Sequence, residues 1–149
     1  MTLKNSLEIP TEAACAFCDY LSGARPFTFW ERDESTATLV TREQRGLFHL
    51  LVIPVRHAET ILDLHESEGD LLMRALRRAA EAIVRVGQPP GLAIWQNNGV
   101  PASQTIPHVH FHVAATVTGG GTEWGDVREL SLEETQAIAA ALGPPSAGL

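Results

Sequence analysis

Three histidines at alternate positions constrain this chain more than any other feature of its sequence. His108, His110 and His112 are separated by apolar residues, and alternate residues of a β-strand share one face at about 6.5–7 Å. The pattern predicts a strand over residues 108–117 with three imidazoles on one face. A purely structural role would require a polar partner for each buried ring, at about 1–3 kcal/mol per unpaired group. The run therefore indicates a site, used either for metal ligation or for nucleophilic and acid–base catalysis.

The rest of the chain predicts an α+β fold. A capping box at Ser131 and Glu134 opens the last helix, and residues 1–14 read as a loose lead-in. An antiparallel sheet of about five strands with one long and one short helix is expected, in a single domain over residues 1–149. The predicted elements are strands at 27–31, 36–41, 48–54, 92–96 and 108–117, and helices at 67–86 and 131–142.

Composition excludes several classes of partner. The net charge of −7 and the scattered basic residues argue against binding a nucleic-acid polymer, although they allow one small phosphate ligand. No apolar run approaches the roughly 20 residues that span a bilayer, and the first residues do not resemble a secretion signal. We therefore expect a cytoplasmic protein with no membrane partner.

The two cysteines form a Cys-x-x-Cys pair, Cys15 and Cys18. They precede a predicted hairpin rather than a βαβ unit, so metal binding is favoured over a redox motif. Zinc normally takes four ligands, and the missing two are expected to be histidines. His57, soon after the strand at 48–54, is the leading upstream candidate.

Together these residues resemble the histidine-triad (HIT) family, named for the order His, apolar, His, apolar, His and two further apolar residues. Residues 108–114 match every position of that pattern, and residues 103–107 resemble the Gly-Gln-Ser segment that precedes it. Further blocks match at 15–18, 48–57 and 97–99. The order and spacing extend from Cys15 to about Val117.

The resemblance implies a five-stranded antiparallel sheet with helices, commonly assembled as a homodimer. It also implies hydrolysis or transfer at the α-phosphate of a nucleotide that carries a leaving group. By motif position His110 resembles the nucleophile that forms a nucleotidyl-histidine, and His112 a partner of the phosphate oxygens. The other positions that match the family's site are Gln104 and Thr105 near the phosphate or leaving group, His49 in the histidine cluster, and Asn97 on the leaving-group side.

The resemblance further implies a structural zinc. Family members that retain the cysteine pair hold it with that pair, a His like His57 and the first triad His, which here is His108. The set Cys15, Cys18, His57 and His108 would suit tetrahedral coordination. His110 and His112 would then remain for chemistry.

Two departures leave alternatives open. Residues 39–46 lack the Asp with which family members engage the ribose hydroxyls, and Glu43 is the available substitute. A binding module for nucleotides or phosphate esters without turnover is therefore an alternative to the enzyme. A catalytic metal on the three histidines is a further alternative, left open by the chemistry of histidine. The segment from Trp124 to Leu149 matches no family signature, so Trp124 is read as a partner contact, a substrate wall or a core residue.

Overall fold

A computed structural model describes residues 6–11 and 14–146 of the chain. Five antiparallel strands form one sheet in the order β1-β2-β3-β5-β4. Two short 3-10 turns, Ile61–Asp63 and Val100–Ala102, lie in the loops. The strands and helices are α1 (Ala16–Ser22), β1 (Phe29–Arg32), β2 (Thr36–Val40), β3 (His49–Pro54), α2 (Glu66–Gly87), β4 (Leu92–Gln96), β5 (Phe111–Ala115) and α3 (Leu132–Leu142).

One face of the sheet is covered by α2 and α3. Apolar residues at helical spacing turn one stripe of α2 inward, and Ser131 caps α3 by accepting a hydrogen bond from Glu134 N. Burial of each large apolar side chain in such a layer contributes about 1.5–3 kcal/mol. The layer includes Val40, Leu50, Val52 and Val113 from the strands and Leu72, Leu76, Ala79 and Ile83 from α2.

The opposite face carries a smaller apolar cluster and the histidines. Phe17 of α1 packs there against Leu39 and Leu51. Since Leu51 of β3 and Trp95 of β4 both pair with His112 of β5, these side chains share this face. The central strands therefore bring His112 beside residues that the chain places far from it in sequence.

The predicted hairpin, the strands at 48–54 and 92–96, the long helix and the closing helix are all confirmed. The predicted strand at 108–117 is longer than the observed β5, which begins at Phe111. Continuing the β3–β5 register would place Val109 opposite Pro54, which has no N–H to donate. Val109 N instead donates to Ala58 O at 2.7 Å, so His108 and His110 lie before the strand.

Helix α1 is an element that the sequence pattern did not predict. The Sγ atom of Cys15 caps it by accepting a hydrogen bond from Cys18 N at 3.4 Å, and Gly23 ends it at φ 83°. Of the predicted lead-in, residues 1–5 and 12–13 lie outside the described residues, while Glu8 O accepts a hydrogen bond from Val100 N at 2.7 Å. Within the described ranges, no helix combines the length and apolar character needed to cross a membrane.

Candidate active site and metal centre

The tertiary structure brings Cys15, Cys18, His57 and His108 together, with their ligand atoms all within 4.8 Å of one another. Nδ1 of His108 lies 3.5 Å from Cys15 Sγ and 3.7 Å from Cys18 Sγ, and Nδ1 of His57 lies 3.3 Å from Cys18 Sγ. Among residues 6–11 and 14–146, no other group of three or more metal-ligating side chains is gathered in this way.

The donor set and its spacing fit zinc. Bonds of about 2.3 Å to sulfur and about 2.0–2.1 Å to nitrogen place the ligand atoms of a tetrahedral zinc about 3.5 Å apart. The ring of His108 is oriented for this role because its Nε2 donates to Pro54 O at 2.8 Å, which leaves the lone pair on Nδ1. Burial raises the pKa of the Cys18 thiol to about 11, so metal binding there would release a proton.

His110 is buried next to this cluster but takes no part in it. Its Nδ1 donates to the carbonyl oxygen of His108 at 2.7 Å, so the lone pair of the ring lies on Nε2. Burial lowers the pKa of His110 below its usual value, which keeps the ring neutral at pH 7. In the described part of the chain the sole fully buried side-chain N or O atom without a partner is Thr38 Oγ1. Nε2 of His110 is therefore not fully buried, although the residue as a whole is only 6% exposed.

A hydrogen-bonded relay orients His112. Arg45 N donates to His49 Nδ1 at 3.1 Å, and His49 Nε2 lies 2.9 Å from His112 Nδ1. Because His49 accepts at Nδ1, its proton lies on Nε2 and is donated to His112. His112 consequently carries its own proton on Nε2. Burial lowers the pKa of His49 to about 3 and that of His112 to about 2, so both rings are neutral.

The rings of His110 and His112 are adjacent, with centroids 5.0 Å apart at 60°. One presents an unprotonated nitrogen and the other an N–H donor, both on neutral imidazoles. A phosphorus centre next to His110 would thus have a hydrogen-bond donor for one of its oxygens beside the attacking atom. Such a pair is suited to nucleophilic displacement.

Trp95 belongs to this site, and the sequence analysis did not select it. Its indole stacks on His112 with centroids 4.6 Å apart and an interplanar angle of 6°, and its centroid lies 5.1 Å from that of His49. The signal that could have found it is strand pairing, because residue 95 of β4 faces residue 112 of β5. That register cannot be read from the sequence of either strand alone.

The remaining candidates lie in the segment that joins β4 to β5. Gln104 is buried, and its amide accepts from Gly99 N and donates to the carbonyls of Glu59 and Ile106, at 2.7–2.9 Å. Thr105 is exposed and Asn97 is half-buried. Gln104 therefore ties the loop segments together, while its predicted contact with a substrate, like those of Thr105 and Asn97, stays a prediction.

The loop from Thr41 to Phe48 positions His49. A Cβ atom on Gly46 would overlap Ala115 O, so only glycine allows this close approach to β5. Phe48 adopts φ 57°, a strained conformation for a bulky residue, immediately before His49. Glu43 is exposed and bridges to Glu129 through its backbone.

Trp124 is not a core residue, because 89% of its surface is exposed. The guanidinium of Arg45 holds the two residues that flank Trp124 in the chain. Its Nη1 donates to Glu123 O at 3.2 Å and to Gly125 O at 2.7 Å. The backbone of the same arginine orients His49. The segment that carries Trp124 is thus joined to the loop that positions the relay.

Comparison with known proteins identifies the family. The family model for the HIT domain matches residues 25–118. An uncharacterized HIT-like protein from Methanocaldococcus jannaschii is 29% identical over 122 residues, which cover 80% of this chain and 94% of that protein. The adenosine 5'-monophosphoramidase of Schizosaccharomyces pombe is 27% identical over 128 residues, covering 84% of this chain and 92% of that enzyme.

A solved structure supports the same family. The zinc-bound histidine triad family protein from Mycobacterium smegmatis superimposes with a TM-score of 0.72 and 27% identity, covering 87% of this chain and 93% of that one. This chain therefore belongs to the HIT family, as its histidine pattern predicts. The family includes hydrolases that act on nucleotide derivatives, such as the phosphoramidase above.

Proposed function

We propose that this protein is a nucleotidyl hydrolase or transferase that acts at the α-phosphate of a nucleotide ester, anhydride or phosphoramidate. The observation that carries the proposal is the pair of neutral rings, His110 with its lone pair on Nε2 and His112 with a proton on Nε2. The name of the yeast relative, a monophosphoramidase, supports a substrate of this class.

In the proposed reaction His110 Nε2 attacks the α-phosphorus, and the bond to the leaving group breaks as the new P–N bond forms. The leaving group departs with the electron pair of that bond and takes up a proton from solvent. His112 donates a hydrogen bond to a phosphate oxygen, which stabilises the developing charge. Water or another acceptor then attacks the nucleotidyl-histidine and gives up a proton to solvent, and the P–N bond breaks to regenerate His110. Two successive displacements at phosphorus thus replace one difficult direct displacement by water. Gln104, Thr105 and Asn97 are assigned to the phosphate and leaving-group side.

We further propose that the cofactor is one structural zinc held by Cys15, Cys18, His57 and His108. The spacing of these four donors and the zinc-bound relative support this assignment. When bound, the ion would cross-link α1 to the segments that carry the two histidines, without contact to substrate. Metal analysis of the wild type should give about one equivalent of zinc. Cys15→Ala should lose most of its zinc, whereas His110→Ala should keep it.

The test of the reaction is detection of the covalent intermediate. Purified protein is mixed with adenosine 5'-monophosphoramidate, with a dinucleoside polyphosphate in a second series, and quenched in denaturant at mildly alkaline pH, which spares the P–N bond. Mass spectrometry should find a nucleotidyl adduct on the peptide that contains His110, and none in His110→Ala. Turnover without an adduct would reject the covalent route.

A nucleotide-binding module without turnover is the second candidate. It is favoured by the loop at 41–48, where no Asp is available for a ribose and Glu43 is exposed with its backbone bridged to Glu129. Binding of AMP by calorimetry, combined with no turnover of either substrate above the rate of His110→Ala, would establish this alternative and exclude the enzyme.

We also propose a homodimer. Strand β4 is an edge of the sheet, and its Ile94 is 52% exposed, which is typical of a strand that pairs with another chain. Light scattering should give twice the mass of the chain, and Ile94→Lys should shift it towards the monomer. The expected cytoplasmic location stays a prediction that cell fractionation can check.

A further inference from the structure

The side chain of Arg45 is held in place by backbone carbonyls rather than by an acidic side chain. Its Nη1 donates to Glu123 O and to Gly125 O. Its backbone is fixed as well, because Arg45 N donates to His49 Nδ1 at 3.1 Å and Arg45 O accepts from Glu123 N at 2.7 Å. A long, half-buried cationic side chain is thus ordered beside the relay of His49 and His112 by contacts within the chain.

The charge of Arg45 is not balanced by a carboxylate. Within residues 6–11 and 14–146 it forms no ion pair, and the side chains of its neighbours Glu43 and Glu123 are exposed. The arginines that do pair with a carboxylate are Arg25, Arg42, Arg56, Arg74, Arg78 and Arg128. Partial desolvation of a cation is costly unless an anion compensates it. A half-buried, unpaired guanidinium in a chain of net charge −7 therefore indicates an anionic ligand.

The hydrogen-bonding capacity of this guanidinium is also only partly used. The two carbonyls take the N–H groups of Nη1, which are two of the five that an arginine carries. Nε and Nη2 have no hydrogen-bond partner in the described part of the chain. Together these two nitrogens form one side of the guanidinium fork, the geometry that binds two oxygens of one phosphate or carboxylate.

The positive charge acts on one part of the candidate active site. Burial is the main cause that lowers the pKa of His49 to about 3 and that of His112 to about 2, and the charge of Arg45 contributes to both. Burial also lowers the pKa of His110, but Arg45 is not among the causes there. Since a cation disfavours protonation of a nearby imidazole, the guanidinium lies closer to the relay than to His110. It is therefore beside the position of the attacked phosphorus rather than at it.

We propose that Arg45 binds a second phosphate group of the substrate, in addition to the α-phosphate that His110 attacks. The inference rests on the proposed function in placing the α-phosphate at His110 and His112. Two positions of a nucleotide can supply the second group, a polyphosphate leaving group and a phosphate ester on the sugar. In either case the site selects a nucleotide with two phosphates over a nucleoside monophosphate or a phosphoramidate whose leaving group is neutral.

Isothermal titration calorimetry with three unreactive ligands tests this and separates the two positions. AMP is the reference. The ligand α,β-methylene-ADP adds a phosphate on the leaving-group side, and adenosine 3',5'-bisphosphate adds one on the sugar. Wild type should bind one of these two about 10–100-fold more tightly than AMP, the range expected for hydrogen bonds to a charged group. Arg45→Gln keeps the backbone N–H to His49. It should lose that preference and bind AMP within about threefold of wild type.

Arg77→Gln is the matched control, because it removes an exposed arginine of α2 and changes the net charge by the same amount. It should keep the wild-type preference. Arg45→Lys keeps the charge but lacks the planar fork, so its preference should be about three- to tenfold smaller than that of wild type. Circular dichroism checks that each variant is folded. Should Arg45→Gln fail to fold, Arg45→Lys decides the outcome by the same titrations.

Equal affinity of wild type for all three ligands, or no binding of any of them, would overturn the proposal. So would a preference that survives in Arg45→Gln or is undiminished in Arg45→Lys. Calorimetry requires no turnover. A preference that is lost in Arg45→Gln, in a protein that forms no covalent adduct, would reject the proposed function and retain the second phosphate site. An adduct on His110 without any preference would retain the proposed function and reject the second phosphate site.

Discussion

The two faces of the sheet differ in chemistry although the same strands build both. On the α2 side, β3 and β5 contribute Leu50, Val52 and Val113 to a predominantly apolar layer. On the α1 side the same strands contribute His49 and His112, joined through their rings at 2.9 Å. Strand alternation thus lets one strand stabilise the fold with one set of side chains and contribute to the candidate active site with the other. Substitutions on the two faces should have separable effects.

The largest expected effect is on catalysis. His110→Ala should lower kcat by at least about 10³-fold, because no other side chain can form the covalent bond in its place. The free energy of unfolding should fall by about 2–3 kcal/mol, because the hydrogen bond to the His108 carbonyl and the packing of the buried ring against Phe17 and His112 are both lost. Steady-state kinetics and urea unfolding on the same preparation measure both. A loss of kcat below tenfold would show that His110 is not the nucleophile.

A substitution on the α2 side of the sheet should have the opposite effect, lowering stability but not catalysis. Ile83→Ala removes a fully buried side chain and should lower the free energy of unfolding by about 2–5 kcal/mol, through lost burial and the cavity that remains. The kcat of the folded fraction should be unchanged, with Ile83→Val as the milder companion. If Ile83→Ala reduced kcat as much as it reduced stability, the two faces would not be independent.

The buried histidines should make stability depend on pH. Burial holds the pKa of His49 at about 3 and that of His112 at about 2, against about 6.5 in an unfolded chain. Below pH 6.5 the unfolded chain binds protons that the folded rings do not accept. Stability is therefore fully present above pH 6.5 and is lost as the pH falls towards the folded pKa values, by about 2 kcal/mol per ring between pH 7 and pH 5.

Urea unfolding at pH 7 and pH 5 measures this loss. His49→Gln should reduce it by about 2 kcal/mol relative to wild type, because the contribution of one buried ring is removed. His65→Gln, an exposed position at the start of α2, is the matched control and should show the wild-type loss. Equal losses in all three proteins would contradict the assignment of neutral buried rings.

The smallest effect is expected at Trp95. Trp95→Leu removes the ring stacked on His112, a type of contact worth about 0.5–1.5 kcal/mol. The expected result is a decrease of about two- to tenfold in kcat/KM, which substrate kinetics can resolve. Trp124→Leu is a useful companion, because this indole is exposed to solvent. A larger effect at Trp124 than at Trp95 would move the substrate contact to the outer segment.

Local patterns were sufficient for most of the fold. Alternation, helical periodicity and capping are properties of neighbouring residues, so the hairpin, α2, β4 and the Ser131 cap could be predicted. Helix α1 could not, because its seven residues depend on Phe17 packing into the sheet and on Cys15 as a cap. The start of β5 was missed for a similar reason, since it depends on a proline in the opposing strand.

The alternating histidines by themselves determined that three imidazoles lie close together and predicted a site there, and the motif resemblance predicted the roles of its residues. Only the tertiary structure decided how the three rings differ, because protonation and orientation are fixed by partners that are distant in the chain. The ring of His108 turns to two cysteines that lie 93 and 90 positions away. His110 takes its proton position from the carbonyl of His108, and His112 takes its own from His49. Spacing along a strand specifies a shared face, whereas hydrogen bonds across the fold specify what each ring can do.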